Sequence, residues 1–174
     1  MLRPVGILLL AALLAGCNAE RRRATLETLR SAVEPPALPA DTIPEVLDYA
    51  ADLQVDLSEM AKLPIGVLYS ELAPNDSVAA LAADTLPVGA GDSVALAYQA
   101  WLADGTLVDS AEVVTRVGAG DVLVGIDAAL PGMKPGGRRK LVLSPGLAFG
   151  VEGRDLVPPN AVVVVDLELR GRIR

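Results

Sequence analysis

Two stretches of this chain alternate apolar and polar residues with the strict period of a β-strand, and that pattern limits the fold more than any other feature. In residues 92–102, Val94, Leu96, Tyr98, Ala100 and Leu102 fall on one face. In residues 161–170, Ala161, Val163, Val165, Leu167 and Leu169 share a face, while Asp166, Glu168 and Arg170 take the opposite one. Side chains of a pleated strand point alternately to its two faces, and one-sided burial is typical of antiparallel sheets. Asp104-Gly105 signals a turn into residues 106–109, Val113, Thr115 and Val117 alternate again, and Arg139–Ser144 supplies a further strand. Between them, Val124–Leu130 is long enough for about two helical turns before Pro131-Gly132 stops it. The expectation is an α+β domain in which one short helix covers the apolar face of an antiparallel sheet.

Composition removes many activities from consideration. The 174 residues are 52% hydrophobic, enough for one packed domain. Aromatic residues make up only 3%, namely Tyr49, Tyr69, Tyr98, Trp101 and Phe149, which leaves little for stacking on nucleic-acid bases. A net charge of −7 argues against binding a phosphate backbone. No histidine is present, so Ser-His-Asp and Cys-His catalysis and most zinc sites are excluded. One cysteine cannot close an intramolecular disulfide. No metal and no cofactor is called for.

That cysteine falls at an informative position. Arg3 precedes ten residues, Val5 to Leu14, without a polar side chain. The run is shorter than the ~20 residues that span a bilayer and has the length of a signal-peptide core. The following Leu14-Ala15-Gly16-Cys17 resembles the lipobox of bacterial lipoproteins. The resemblance implies cleavage of residues 1–16 and acylation of Cys17, which would anchor the protein in a membrane of the cell envelope, facing the periplasm. Several acyl chains on one residue give the stable attachment that a single chain does not. Asn18 is not the aspartate associated with inner-membrane retention, which favours the outer membrane. Arg21-Arg22-Arg23 is either a solvated linker or an attraction for anionic headgroups.

Residues 17–62 read as the lipidated cysteine followed by a tether. Leu26, Leu29 and Val33 have helical spacing, Pro35-Pro36 and Pro39 enforce an extended stretch, and Asp41-Thr42 opens a second helix with Val46, Leu47, Ala50 and Leu53 on one face. A spacer is the simpler reading, with partner binding or dimerisation as the other. The domain itself is placed at residues 63–174.

Within that domain the words are specific. Tyr98-Gln99-Ala100-Trp101-Leu102-Ala103-Asp104-Gly105-Thr106 leads to Val108-Asp109-Ser110. Gly125-Ile126-Asp127 continues to Leu130-Pro131-Gly132-Met133-Lys134, then Gly136-Gly137-Arg138-Arg139. Leu143-Ser144-Pro145, Ala148-Phe149-Gly150 and Val157-Pro158-Pro159-Asn160-Ala161 complete the series. In this order and spacing, within a match that runs from Gly66-Val67-Leu68-Tyr69 to the C-terminus over about 110 residues, they resemble the FKBP family of peptidyl-prolyl cis-trans isomerases. The resemblance implies an antiparallel half-barrel wrapped around the short helix, and proline-containing unfolded or extended polypeptides as partners.

It also implies a pocket. Tyr98 and Asp109 match the family's hydrogen-bonding pair, and Leu123 matches the residue whose N–H binds a ligand carbonyl. Val122 lines the pocket and Val157 its rim. Ile126 stands where the best-known members have a tryptophan floor. Val108, Val113 and Val165 stand for phenylalanines, and Phe149 for a tyrosine. Read without the family, Tyr98 is more simply a core tyrosine, and Asp109 can be a turn-former, a role compatible with the pocket.

Isomerisation suits the sparse inventory. Rotation about a peptide bond costs ~18–20 kcal/mol because resonance gives C–N partial double-bond character. Xaa-Pro isomers are close in energy yet exchange over tens to hundreds of seconds. A dry pocket disfavours the polar planar imide relative to the twisted one, so no nucleophile is needed. Five positions have lost a ring or a hydroxyl, which leaves a wide, weakly shaped site and a weak isomerase. The alternative is a non-catalytic, chaperone-like peptide-binding module. Three further features get structural readings: Arg138-Arg139-Lys140 as a solvated strand edge, Gly118-Ala119-Gly120 as a turn, and Trp101 as a partly exposed residue outside the pocket.

Overall fold

A computed structural model describes residues 44–81 and 85–173, all within one compact unit spanning 37–174. Cys17, the lipobox and the segment 24–33 lie outside the described residues. Six strands form one sheet: β1 (Ala61–Lys62), β2 (Leu68–Leu72), β3 (Ser93–Leu102), β4 (Leu107–Arg116), β5 (Arg138–Leu143) and β6 (Val163–Arg172). Their spatial order is β1-β2-β5-β6-β3-β4, and every neighbouring pair is antiparallel. Helix α1 (Asp76–Leu81) follows β2, and α2 (Val124–Ala129) links β4 to β5.

The expected alternation fixes which way each strand faces. Val94, Leu96 and Ala100 of β3 are buried with Val163, Val165, Leu167 and Leu169 of β6 in the main core. Helix α2 adds Ile126 and Ala129 to the same cluster. Its approach to the sheet is close, because a Cβ on Gly125 would run into the Leu143 side chain. Asp127 ties the preceding loop down by accepting hydrogen bonds from the N–H groups of Gly118 (2.7 Å) and Gly120 (3.0 Å).

The hairpin between β3 and β4 is built by its residue types. Asp104 Oδ1 accepts from the Thr106 N–H at 2.9 Å, and Gly105 holds the φ of +89° that the turn requires. A register shift follows: Ala100 faces Asp109 but Trp101 faces Leu107, leaving Val108 as the extra residue of a β-bulge.

Three elements differ from expectation. The anticipated helix near residues 42–53 is two short 3-10 turns, Pro44–Val46 and Ala51–Leu53. The Ala50 N–H donates instead to the Ala103 carbonyl at 2.8 Å, so a tertiary partner replaces the helical one. Residues 47–60, read from sequence as part of a tether, pack on the outer face of the sheet. Leu53 joins Leu68, Val142, Val162 and Val164 in a second buried cluster, flanked by Tyr49, Val55, Met60 and Trp101. The sheet is thus covered on both faces, which explains why Val162 and Val164 are buried although they alternate out of the main core. Helix α1 was not anticipated; Asn75 caps it, its Oδ1 accepting from the Val78 N–H at 3.3 Å.

The basic triplet is no solvated edge. Strand β5 is internal to the sheet, Lys140 is buried and paired with Asp166, and the Arg139 guanidinium donates to the Ala129 and Pro131 carbonyls at the end of α2. Buried cations need such partners.

Candidate active site

The sheet places the site by rows. Asp109, Ala100, Val165 and Leu141 lie directly opposite one another across β4, β3, β6 and β5; the next row is Ala111, Tyr98, Leu167 and Arg139. Tyr98 and Asp109 are therefore diagonal neighbours on the inner face. The Tyr98 hydroxyl donates to Asp109 Oδ2 at 3.0 Å. The bulge at Val108 lets that residue also pack against the main core beside Asp109.

Nine of the ten residues expected to form the pocket belong to, or pack against, the main core cluster of the domain. Ile126, Val157 and Val165 belong to the buried core; Val108, Val113, Val122, Leu123, Tyr98 and Phe149 are partly buried against it, and Asp109 is held by Tyr98. Leu123 immediately precedes α2, with φ −53° and ψ 138°, among the residues whose N–H groups a helix start leaves without an intrahelical acceptor. Accessibility separates floor from rim. Ile126 and Val165 are 0% exposed, whereas Phe149, Tyr98, Val108, Val113 and Val122 are partly exposed.

Electrostatics at the rim are local. Burial pushes the Tyr98 hydroxyl pKa up to about 12, and the hydrogen bond to Asp109 and that carboxylate's charge add to the rise. Arg154 opposes it. Arg154 is the residue that sequence reasoning missed: its guanidinium carbon lies 5.1 Å from the centre of the Phe149 ring, and Nη2 is 3.9 Å from Asp109 Oδ2. The available signal was its isolation, as the one basic residue between Lys140 and Arg170.

A hollow of about 480 Å³ opens on the other face of the same strands, lined by Gln99, Ser110, Glu112, Arg138, Asp166 and Arg170 among others. Its charges are largely spent on each other: Arg170 pairs with Glu112 at 3.1 Å and Glu168 at 3.0 Å, and Asp166 with Lys140. Its lining is more polar than apolar, although Ala97, Tyr98, Ala111 and Leu167 also border it, so the inner-face site is the better candidate for a proline ring. Among the described residues no group of acidic, histidine or cysteine side chains could hold a metal ion.

An antiparallel sheet with a short helix on its inner face is a fold shared with known proteins. A family model described as FKBP-type peptidyl-prolyl cis-trans isomerase matches residues 86–170. An FK506-binding protein of Neisseria meningitidis is 34% identical over 85 residues, covering 45% of this chain and 78% of that protein. FK506-binding protein 5 of Dictyostelium discoideum is 38% identical over 96 residues, which is 50% of this chain but only 6% of that much longer protein. The solved structure of a peptidyl-prolyl cis-trans isomerase from Pseudomonas syringae superposes with a TM-score of 0.56 at 26% identity, covering 71% of this chain and 87% of that one. The chain belongs to the FKBP-type family of peptidyl-prolyl cis-trans isomerases.

Proposed function

We propose that this domain catalyses the cis-trans isomerisation of Xaa-Pro bonds in unfolded or extended polypeptides, more slowly than family members with an aromatic-lined pocket. The observation that carries this reading is the 3.0 Å hydrogen bond from Tyr98 to Asp109 at the rim of an apolar cluster. A proline ring packs against Phe149, Val108, Val113 and Val122. Tyr98 orients Asp109 beside the imide carbonyl, and the Leu123 N–H holds a flanking carbonyl. Water exclusion weakens the preference for the planar, charge-separated imide, while these fixed groups cost no reorganisation during rotation. The rate is limited because ring-to-ring contact is lost at ~25 cal/mol per Å² and because Phe149 has no hydroxyl to donate. The test is an NMR exchange or protease-coupled assay on an Xaa-Pro peptide at low temperature. A rate equal to the uncatalysed one, with folded protein in excess, sinks the proposal.

The site of action follows from the leader sequence. Acylation of Cys17 anchors the chain in the cell envelope, facing the periplasm, with Asn18 favouring the outer membrane. None of the described helices is long and apolar enough to cross a membrane. Incorporation of labelled palmitate that disappears in Cys17→Ala, together with loss from the membrane fraction, checks this.

Complete burial of Ile126 and Val165 favours a second reading, a non-catalytic module that captures apolar segments at the rim. Suppression of client aggregation that survives Asp109→Ala, with no isomerase rate, supports it.

A further inference from the structure

We infer that Arg154 is a specificity-determining residue of the pocket, selecting Xaa-Pro segments that carry a carboxylate next to the proline. The inference rests on the peptide-binding site proposed above and names the substrates it prefers.

Arg154 follows Gly153, whose φ of +68° turns the chain back toward Val157, and Arg154 forms an isolated β-bridge with Val157. The guanidinium is thereby carried over the face of Phe149, with 5.1 Å between its carbon and the ring centre. A ring face attracts a cation and presents its planar fork in one orientation. The positive charge is thus placed at the rim, between Phe149 and Asp109, where a residue flanking a bound proline must pass.

Its hydrogen-bonding capacity is not spent on the protein's own carboxylates. Nη2 stands 3.9 Å from Asp109 Oδ2, and Nε stands 3.8 Å from Asp155 Oδ2; both separations exceed hydrogen-bonding distance. Asp109 is already engaged by Tyr98. The Arg154 side chain is 65% exposed, so incoming groups reach it. A carboxylate matches the fork bidentately, which a neutral amide of the same shape does not. Long-range attraction is not the source, because the chain carries a net charge of −7; the preference is a contact effect at this one cation.

The experiment compares three peptides, Ala-Glu-Pro-Phe, Ala-Gln-Pro-Phe and Ala-Leu-Pro-Phe, by NMR titration of the full-length protein in detergent micelles. The wild type is expected to bind the Glu peptide more tightly than the Gln peptide by about two- to five-fold, the range of a partly exposed ion pair. Arg154→Gln is expected to erase that ratio, so that the Glu and Gln peptides bind alike, and Arg154→Lys to keep part of it. Equal Glu and Gln affinities in the wild type, or a ratio that survives Arg154→Gln, overturns the inference while binding of the Leu peptide still upholds the pocket. Failure to bind any of the three overturns the pocket reading itself.

Discussion

The Tyr98 hydroxyl donates to Asp109 Oδ2 at 3.0 Å from a position two residues out of register across β3 and β4. Removing either partner takes this hydrogen bond from the other, and Asp109 then keeps only the longer ion pair with Arg154 at 3.9 Å. Tyr98→Phe and Asp109→Ala are each expected to cost about 0.5–1.5 kcal/mol of stability and to lower the isomerisation rate several-fold. Chemical denaturation run beside the peptide exchange assay measures both.

Alkaline pH acts through the same hydroxyl. Its pKa is raised from an ordinary value near 10 to about 12 in the folded protein. A group whose folded pKa is raised contributes stability that is fully present below the unfolded value and lost as pH rises through the folded one. Stability should therefore fall between about pH 10 and about pH 12. Burial raises the Tyr49 pKa in the same direction, so the two residues add. Denaturation midpoints across this window, compared with Tyr98→Phe and Tyr49→Phe, should flatten in each variant.

Ile126 is wholly buried, and beside it there is no room for even a Cβ on Gly125, which would collide with the Leu143 side chain. Ile126→Trp is expected to overpack the core and cost about 1–3 kcal/mol. Thermal melting detects the loss, and the exchange assay shows whether an aromatic floor raises the rate in the fraction that folds. A gain identifies a weakened enzyme; a site turned to capture alone gains nothing.

Close packing makes a second prediction at the neighbouring position. A Cβ at Gly125 collides with the Leu143 side chain, so Gly125→Ala should destabilise by about 1–3 kcal/mol, despite the better helix propensity of alanine. Leu143→Val in the same chain should recover part of that loss, as a double-mutant cycle will show.

On the outer face, Leu53 is 5% exposed over Val142, Val162 and Val164. Leu53→Ala should cost about 2–5 kcal/mol, the usual range for a buried leucine. A residue that served only as tether would show no such loss in a melting curve.

Much of this organisation was legible before any coordinate. Period-two runs through residues 92–102 and 161–170 name the strands and their inner faces, because alternation is a local property of a pleated chain. The position of Tyr98 relative to Asp109 could be read from the words around them. Two misreadings share a cause. Arg138-Arg139-Lys140 looked like an exposed edge because charge suggests solvent, yet Lys140 is buried against Asp166, 26 residues away. Residues 47–60 looked like tether because Leu47, Ala50 and Leu53 read as one face of a short helix beyond a proline-rich stretch, yet they cover the outer face.

By itself, then, the sequence determined the strands and the short helix stopped at Pro131-Gly132, since these follow from local spacing and backbone preference, whereas the candidate site residues came from the resemblance to a family. Only the tertiary structure decided that Ala50 bonds to Ala103, that Lys140 meets Asp166, and that Arg154 lies over Phe149 beside Asp109. Each of those contacts joins groups brought together by the burial of the sheet's faces, and no local pattern encodes which distant partner a polar group will find.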